Sequence, residues 1–205
     1  MTEAGIIAAA EDRWPAASAI PEDPLGQLLL ASHLLGADRA VANFGGGNTS
    51  AKGHALDHVG REQDVIWVKG SGSDLASMGP DAFTPLRLEE LLPLLERDAM
   101  SDELMVAHLA RSQIDPGAPR ASIETLLHAF VPAKHVYHTH PDAVISLACA
   151  PDGEQAARDV YGDRMQYVPY IRPGFTLSKW IGAKVINNPG IECVVMGKHG
   201  LVTWG

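Results

Sequence analysis

His138 and His140 stand two residues apart in the run HVYHTHPDAVISL, and His199 follows near the end of the chain. Side chains alternate between the faces of a β-strand, so His138 and His140 would approach one ion while Thr139 turns away. A third imidazole from a later strand leaves a tetrahedral divalent cation with one open position. That is the arrangement of a catalytic zinc rather than a structural one. His199 is flanked by Gly197 and Gly200, and such small neighbours let a backbone pass close to an ion. The pair alone is a modest signal in a chain with 9 histidines. His33, His54, His58, His108, His128 and His135 read as surface or satisfied core residues. Of these, His128 falls one helical turn after Glu124 and could orient it.

Glu124 precedes the first histidine by 14 residues (138 − 124) in an otherwise apolar stretch. Two readings stand. Just inside a helix N-terminus it is a carboxylate interacting with the helix dipole; beside a metal-bound substrate it is an acid–base group whose pKa burial moves towards neutrality. Three loops rich in glycine and hydroxyls add donors: Gly45 to Ser50, Lys69 to Asp74, and the helix start at Ser122. None matches the P-loop or dinucleotide fingerprint. Together they offer N–H groups, hydroxyls and a helix N-terminus suited to a phosphate monoester. Lys69 either adds charge there or is a solvated strand end.

Elements must bring these residues together. Pro24 opens a helix with Leu25, Leu28, Leu29 and Leu35 on one face. Val65 to Gly70 reads as a buried strand, and helices are expected over 87–96 and 102–112. Ser122 is expected to cap the helix SIETLLHAF. The histidine strand follows, Pro141 opens another helix, and a strand (166–171), a helix (176–187) and a strand (192–196) complete the order. The alternation predicts a layered α/β/α domain on a mixed sheet, spanning 24–205 after a leader of residues 1–23. The 205 residues suit one domain, and 46% hydrophobic with 20% charged residues is globular composition. The net charge of −9 disfavours a nucleic-acid surface, and no apolar run is long enough to cross a membrane. The acidic N-terminus without a basic segment, and two cysteines (Cys149 and Cys193) read as reduced core thiols, point to the cytoplasm.

The segments GGGNTS, VKGSGSDL, SIETLLHAF, HTH and KHGLVTWG, in this order, resemble the class II aldolase/adducin family. The wording of LLGADRAVANFGGGNTSAK, LRLEELLPLLERDAMSDE and VPYIRPGF looks closest to the aldolase part of bifunctional rhamnulose-1-phosphate aldolase/dehydrogenase proteins. The resemblance implies a three-layer α/β/α domain with a mainly antiparallel sheet. It implies zinc or another divalent metal on His138, His140 and His199, with Glu124 as the catalytic acid/base. Gly47, Asn48, Ser71, Gly72 and Ser122 fall on the segments that hold the substrate phosphate. Ile123 departs from the pattern, standing where simpler sugar-phosphate aldolases carry a hydroxyl residue. Family members also borrow a tyrosine from a neighbouring subunit; Tyr161, Tyr167 and Tyr170 are the candidates here. The implied reaction is retro-aldol cleavage of a ketose 1-phosphate, L-rhamnulose 1-phosphate foremost, to dihydroxyacetone phosphate and L-lactaldehyde. Pentulose-phosphate epimerisation, thiosugar-phosphate dehydration and a non-catalytic adducin-like scaffold are the alternatives. A homotetramer is implied, with a dehydrogenase domain following in a longer protein, which would account for a chain that stops in a strand.

Overall fold

The computed structural model describes residues 12–205. The helices are α1 (Pro24–Ala37), α2 (Leu88–Leu91), α3 (Asp102–Ser112), α4 (Thr125–Phe130), α5 (Asp142–Cys149), α6 (Gly153–Tyr161) and α7 (Phe175–Asn187). The strands are β1 (Asn48–Leu56), β2 (Glu62–Lys69), β3 (Phe83–Arg87), β4 (His135–Thr139), β5 (Met165–Val168), β6 (Cys193–Met196) and β7 (Gly200–Trp204). They form one seven-stranded sheet in the order β3-β2-β1-β4-β7-β6-β5. Every neighbouring pair is antiparallel except β5 and β6, and α7 supplies the crossover that this parallel pair requires.

Strand alternation sorts the side chains into two layers. On one face Val136, Val168, Val194, Met196 and Val202 pack under Leu127 of α4 and Leu177, Ile181 and Val185 of α7. Ile66 and Val68 continue that face under Leu126 and Phe130. On the other face Ala51 meets Leu28 of α1, while Met165, Cys193 and Val195 meet α5 and α6. The domain is therefore a single mixed α/β unit in three layers, as expected.

Strand β1 breaks the apolar rule. Asn48, Ser50 and Lys52 alternate along it and all turn to α4. Lys52 Nζ donates to the carbonyls of His128, Val131 and Ala133 at 3.1, 2.5 and 2.7 Å. A cation there satisfies the open carbonyls at the C-terminal end of a six-residue helix. Burial pulls the pKa of this lysine down to about 8.

Several boundaries differ from expectation. The helix after Ser122 begins only at Thr125, with Glu124 as its N-cap residue and no side-chain cap bond. Ser122 instead makes a tight turn: its hydroxyl accepts from the Glu124 N–H (3.2 Å) and its carbonyl from the Thr125 N–H (3.0 Å). The 87–96 segment splits into α2 and a 3-10 turn, Leu92–Glu96, where Pro93 cannot supply the helical N–H. Strand β5 stops at Val168, ahead of Pro169. Cys149 is exposed, so only Cys193 is a core thiol. Of the 1–23 leader, residues 1–11 lie outside the described residues, and Ala17–Ala19 form a 3-10 turn. Among the described residues no helix is long and apolar enough to cross a membrane.

Candidate metal and acid–base site

The site gathers where β1, β4 and the β6–β7 turn reach the start of α4. His138 is on β4 and fully buried; His140 lies just past the end of that strand, one residue beyond Thr139. His199 sits in the turn joining β6 to β7, where its N–H donates to the Met196 carbonyl at 3.2 Å, rather than on a strand. One ligand nitrogen from each of the three lies within 4.8 Å of the others. Glycines make this approach possible. A Cβ on Gly200 would stand 2.5 Å from the Thr139 carbonyl oxygen, 2.9 Å from His140 Cδ2 and 3.1 Å from His138 Cε1. Gly47 has φ +71°, and a Cβ there would lie 2.6 Å from the His138 carbonyl oxygen.

Hydrogen bonds fix which atoms face inward. His138 Nδ1 lies 3.1 Å from the Leu201 carbonyl oxygen, which only accepts, so Nδ1 carries the proton and Nε2 presents a lone pair. That lone pair faces His140 Nε2 at 3.0 Å and Glu124 Oε1 at 3.6 Å. His199 Nε2 is 3.3 Å from the same oxygen. Glu124 Oε1 is buried without a hydrogen-bond partner. Burial, then the neighbouring His138 and His199, pull His140 down to about 4, and burial with His138 lowers His199. Both shifts favour the neutral ring that a metal ligand must be. Lone pairs converge on one point, an arrangement that calls for a cation. The donor set fits a divalent metal, held by His138, His140 and His199.

Glu124 Oε2 is placed differently. The Asn48 amide donates to it at 2.7 Å and lies 3.4 Å from the Ser122 hydroxyl. Asn48 Oδ1 in turn accepts from His128 Nε2 in a short contact. With Nε2 protonated, His128 Nδ1 accepts from the Ser50 hydroxyl at 2.8 Å. A directed chain thus runs Ser50, His128, Asn48, Glu124. His128 is fully buried, and burial pulls it down to about 3, so the neutral ring the chain requires is the one present. Burial alone would raise the Glu124 pKa, but His138, His199 and the Asn48 amide outweigh it, and the net direction is down. The expected rise towards neutrality is reversed because His138 and His199, and after them the fixed Asn48 donor, favour the carboxylate over the acid.

His128 therefore reaches Glu124 through Asn48 rather than directly. The sequence signal for it was its spacing from Glu124; nothing in the sequence singled out Ser50. His33 and His108 are satisfied by the carbonyls of Met78 and Glu90. A cleft of about 260 Å³ opens beside the imidazoles. It is lined by Gly45, Gly46, Gly47, Asn48, Lys69, Gly70, Ser71, Gly72, Ser122, Glu124 and His140. All five residues expected at the phosphate thus border one cavity. Ile123 is partly exposed and does not line it. Tyr161, Tyr167 and Tyr170 also lie outside it; the Tyr167 hydroxyl is 3.5 Å from the Ala148 carbonyl.

Residues 27–205 match the family model described as the class II aldolase and adducin N-terminal domain. A Bacillus subtilis (strain 168) protein named uncharacterized oxidoreductase YuxG is 59% identical over 179 residues, 87% of this chain. The chain spans only 26% of that relative's length. The N-terminal class II aldolase domain of a conserved Thermoplasma acidophilum protein superposes with a TM-score of 0.88 at 37% identity, covering 96% of this chain and 90% of that one. L-fuculose-1-phosphate aldolase from Thermus thermophilus shares the fold at 15% identity, with a TM-score of 0.52 over 87% of this chain and 79% of that one.

Proposed function

This chain belongs to the class II aldolase and adducin family, and on that footing we propose that it is a zinc-dependent aldolase domain cleaving a ketose 1-phosphate between C3 and C4. L-rhamnulose 1-phosphate is the proposed substrate, with dihydroxyacetone phosphate and L-lactaldehyde as products. The observation that carries the reading is the orphaned, buried Glu124 Oε1 facing ring nitrogens of His138 and His199. Three imidazole ligands with an open position suit catalytic zinc. A divalent cation bound there would act as a Lewis acid towards the negative charge left when the carbon–carbon bond breaks.

The chain's own groups divide the remaining work. Asn48 holds Glu124 Oε2, so Oε1 is the oxygen free to carry a proton. In the cleavage direction Glu124 Oε1 takes up the proton that the C4 hydroxyl loses as C3–C4 breaks and returns it to C3, giving dihydroxyacetone phosphate and leaving the carboxylate ionised as it began. In the condensing direction the same carboxylate, kept ionised by its lowered pKa, removes that proton. Gly47, Asn48, Ser71, Gly72 and Ser122 border the cavity that would take the phosphate. Fixing that group lowers the entropic cost of aligning C3 with the base.

The scaffold alternative is disfavoured by the complete set of His138, His140, His199 and Glu124. Epimerisation would use the same groups but would not release dihydroxyacetone phosphate. The oxidoreductase in the name of the Bacillus subtilis relative belongs to a protein about four times longer than the matched region. A dehydrogenase unit following this domain in a longer protein is our reading of that name. The test is release of dihydroxyacetone phosphate from a panel of ketose phosphates, with Glu124→Gln alongside. The variant should keep its zinc and lose about 100-fold or more in turnover. Normal turnover in Glu124→Gln removes this residue from the mechanism.

A further inference from the structure

Two glycine loops line the cleft, and their tips are unpacked. Gly45 and Gly72 take φ +67° and +93°, and a Cβ added at either would meet nothing within 4 Å. Glycines there leave the backbone many conformations. Each loop is anchored on its own side. The Gly46 N–H donates to the Asn43 carbonyl, and those of Gly70 and Ser71 donate to the carbonyls of Ala82 and Arg120. Among the described residues no backbone hydrogen bond runs from the 43–47 loop to the 70–73 loop.

The link between them is made just outside each loop. Arg39 follows α1, and its Nη1 donates to both carboxylate oxygens of Asp74 at 3.0 and 3.2 Å. Both partners are fixed from behind. The Asp38 carbonyl accepts the N–H groups of Val41 and Ala42, and the Ala40 carbonyl accepts the Asp142 N–H at 3.0 Å. Asp74 Oδ1 also takes the Ala76 N–H at 2.8 Å, while its carbonyl takes those of Ser77 and Met78. A Cβ on Gly36 of α1 would stand 2.2 Å from the Ala76 nitrogen, so this turn sits directly on the helix. The Arg39 guanidinium lies 3.9 Å over the centre of the Phe44 ring, which is 80% exposed. The Ala76 N–H, then Arg39, and lastly the Gly45 N–H hold the Asp74 carboxyl below the ordinary range, against the opposing effect of burial. Arg39 and Asp74 thus hold the start of one loop to the end of the other.

The side chains of this ion pair are 39% and 21% exposed, and so open a pair adds little to global stability. Its effect falls on the loops. Donors from both must meet one ligand, and such a site tolerates displacements of only about 0.5 Å. We propose that Arg39 and Asp74 are positioning residues, a clasp that sets the distance between the two glycine loops so that one ligand can touch both. This rests on the reading of the cleft as the seat of the substrate phosphate, but the clasp can be judged without turnover.

The test compares the full, zinc-loaded chain with Asp74→Asn, Arg39→Met and the double variant. Asparagine keeps an acceptor for the Ala76 N–H and removes the charge; methionine keeps the stem and removes the guanidinium. Each single substitution should weaken binding of inorganic phosphate, read by calorimetry, about 3- to 10-fold. KM for the ketose phosphate should rise by a similar factor, with kcat and zinc content little changed. The double variant should be no worse than either single one, because both remove the same contact. Amide hydrogen exchange should quicken at Gly45 and at Gly72 in both single variants, with little change in melting temperature. Phosphate binding and KM that ignore both substitutions overturn the inference. So do additive losses, exchange that quickens only in the loop beside the substituted residue, or a general loss of zinc and of melting temperature. If no ketose phosphate is cleaved but phosphate binding still depends on residues 39 and 74, the clasp stands and the aldolase reading falls.

Discussion

Replacing His128 with phenylalanine tests the chain of hydrogen bonds behind Glu124. The ring is fully buried, and phenylalanine fills similar space, so the loss is mainly polar. Asn48 Oδ1 loses its donor and remains buried, a penalty of about 1–3 kcal/mol. Ser50 keeps the Val136 carbonyl at 3.4 Å, a long contact, and its loss adds about 1 kcal/mol. The sum, about 2–4 kcal/mol, corresponds to a fall in melting temperature of about 4–16 °C for a domain of this size. The three imidazole ligands are untouched, so zinc content should stay that of the wild type. Turnover should nonetheless fall about 10- to 100-fold, because the Asn48 amide is free to turn its oxygen towards the carboxylate. Ser50→Ala should show the same pattern in milder form. The assay is a melt, a zinc determination and a turnover measurement on one preparation. A His128→Phe protein with wild-type melting and wild-type turnover would refute the directed chain.

Two further outcomes follow from the same geometry. Gly200→Ala forces a Cβ to within 2.5 Å of the Thr139 carbonyl and close to two metal-binding rings. It should cost about 1–3 kcal/mol of stability and lower zinc affinity, read by competition with a chelator; unchanged affinity would mean that the rings have room to move. Stability of the metal-free chain should also depend on pH through His128. Its folded pKa of about 3 lies below the ordinary 6.5, so between these values the unfolded chain binds a proton that the folded one does not. Stability is therefore full above pH 6.5 and falls by about 1.4 kcal/mol per pH unit as pH drops through that window. Urea unfolding at several pH values should show that slope reduced by one proton in His128→Phe, and an identical slope in both proteins would contradict the burial of a neutral ring.

What was legible in the sequence was what obeys a period or a cap. Pro24 marked α1, whose N-cap Asp23 accepts the Gly26 N–H; α3 spans the expected 102–112, with Ser101 as its N-cap. The histidine pair was readable because two side chains on one strand face need only alternation. Strand β1 was not readable as a strand, because its α4-facing positions are Asn48, Ser50 and Lys52 rather than apolar residues. Each is buried by a partner far away in the chain, 76 to 81 residues on, and no local pattern encodes that. Strand β3 was hidden by Pro85, and α6 by a polar sequence, GEQAARDVY, whose only fully buried residues are Gly153 and Ala157. The helix N-cap was misplaced by two residues (124 − 122) because Ser122 looks like a cap but spends its hydroxyl on the turn that aims Glu124.

The polar edge of β1 has a consequence for how the chain finds its register. Shifting this strand by one residue would turn Lys52 from three waiting carbonyls towards the leucines of α1, and would leave His128 and the end of α4 without partners. Apolar strands slide cheaply, since one valine replaces another. Here a misaligned sheet strands a cation in oil. The groups that prepare Glu124 for its proton are thus also a proofreading device for assembly, and an alteration that frees the one loosens the other.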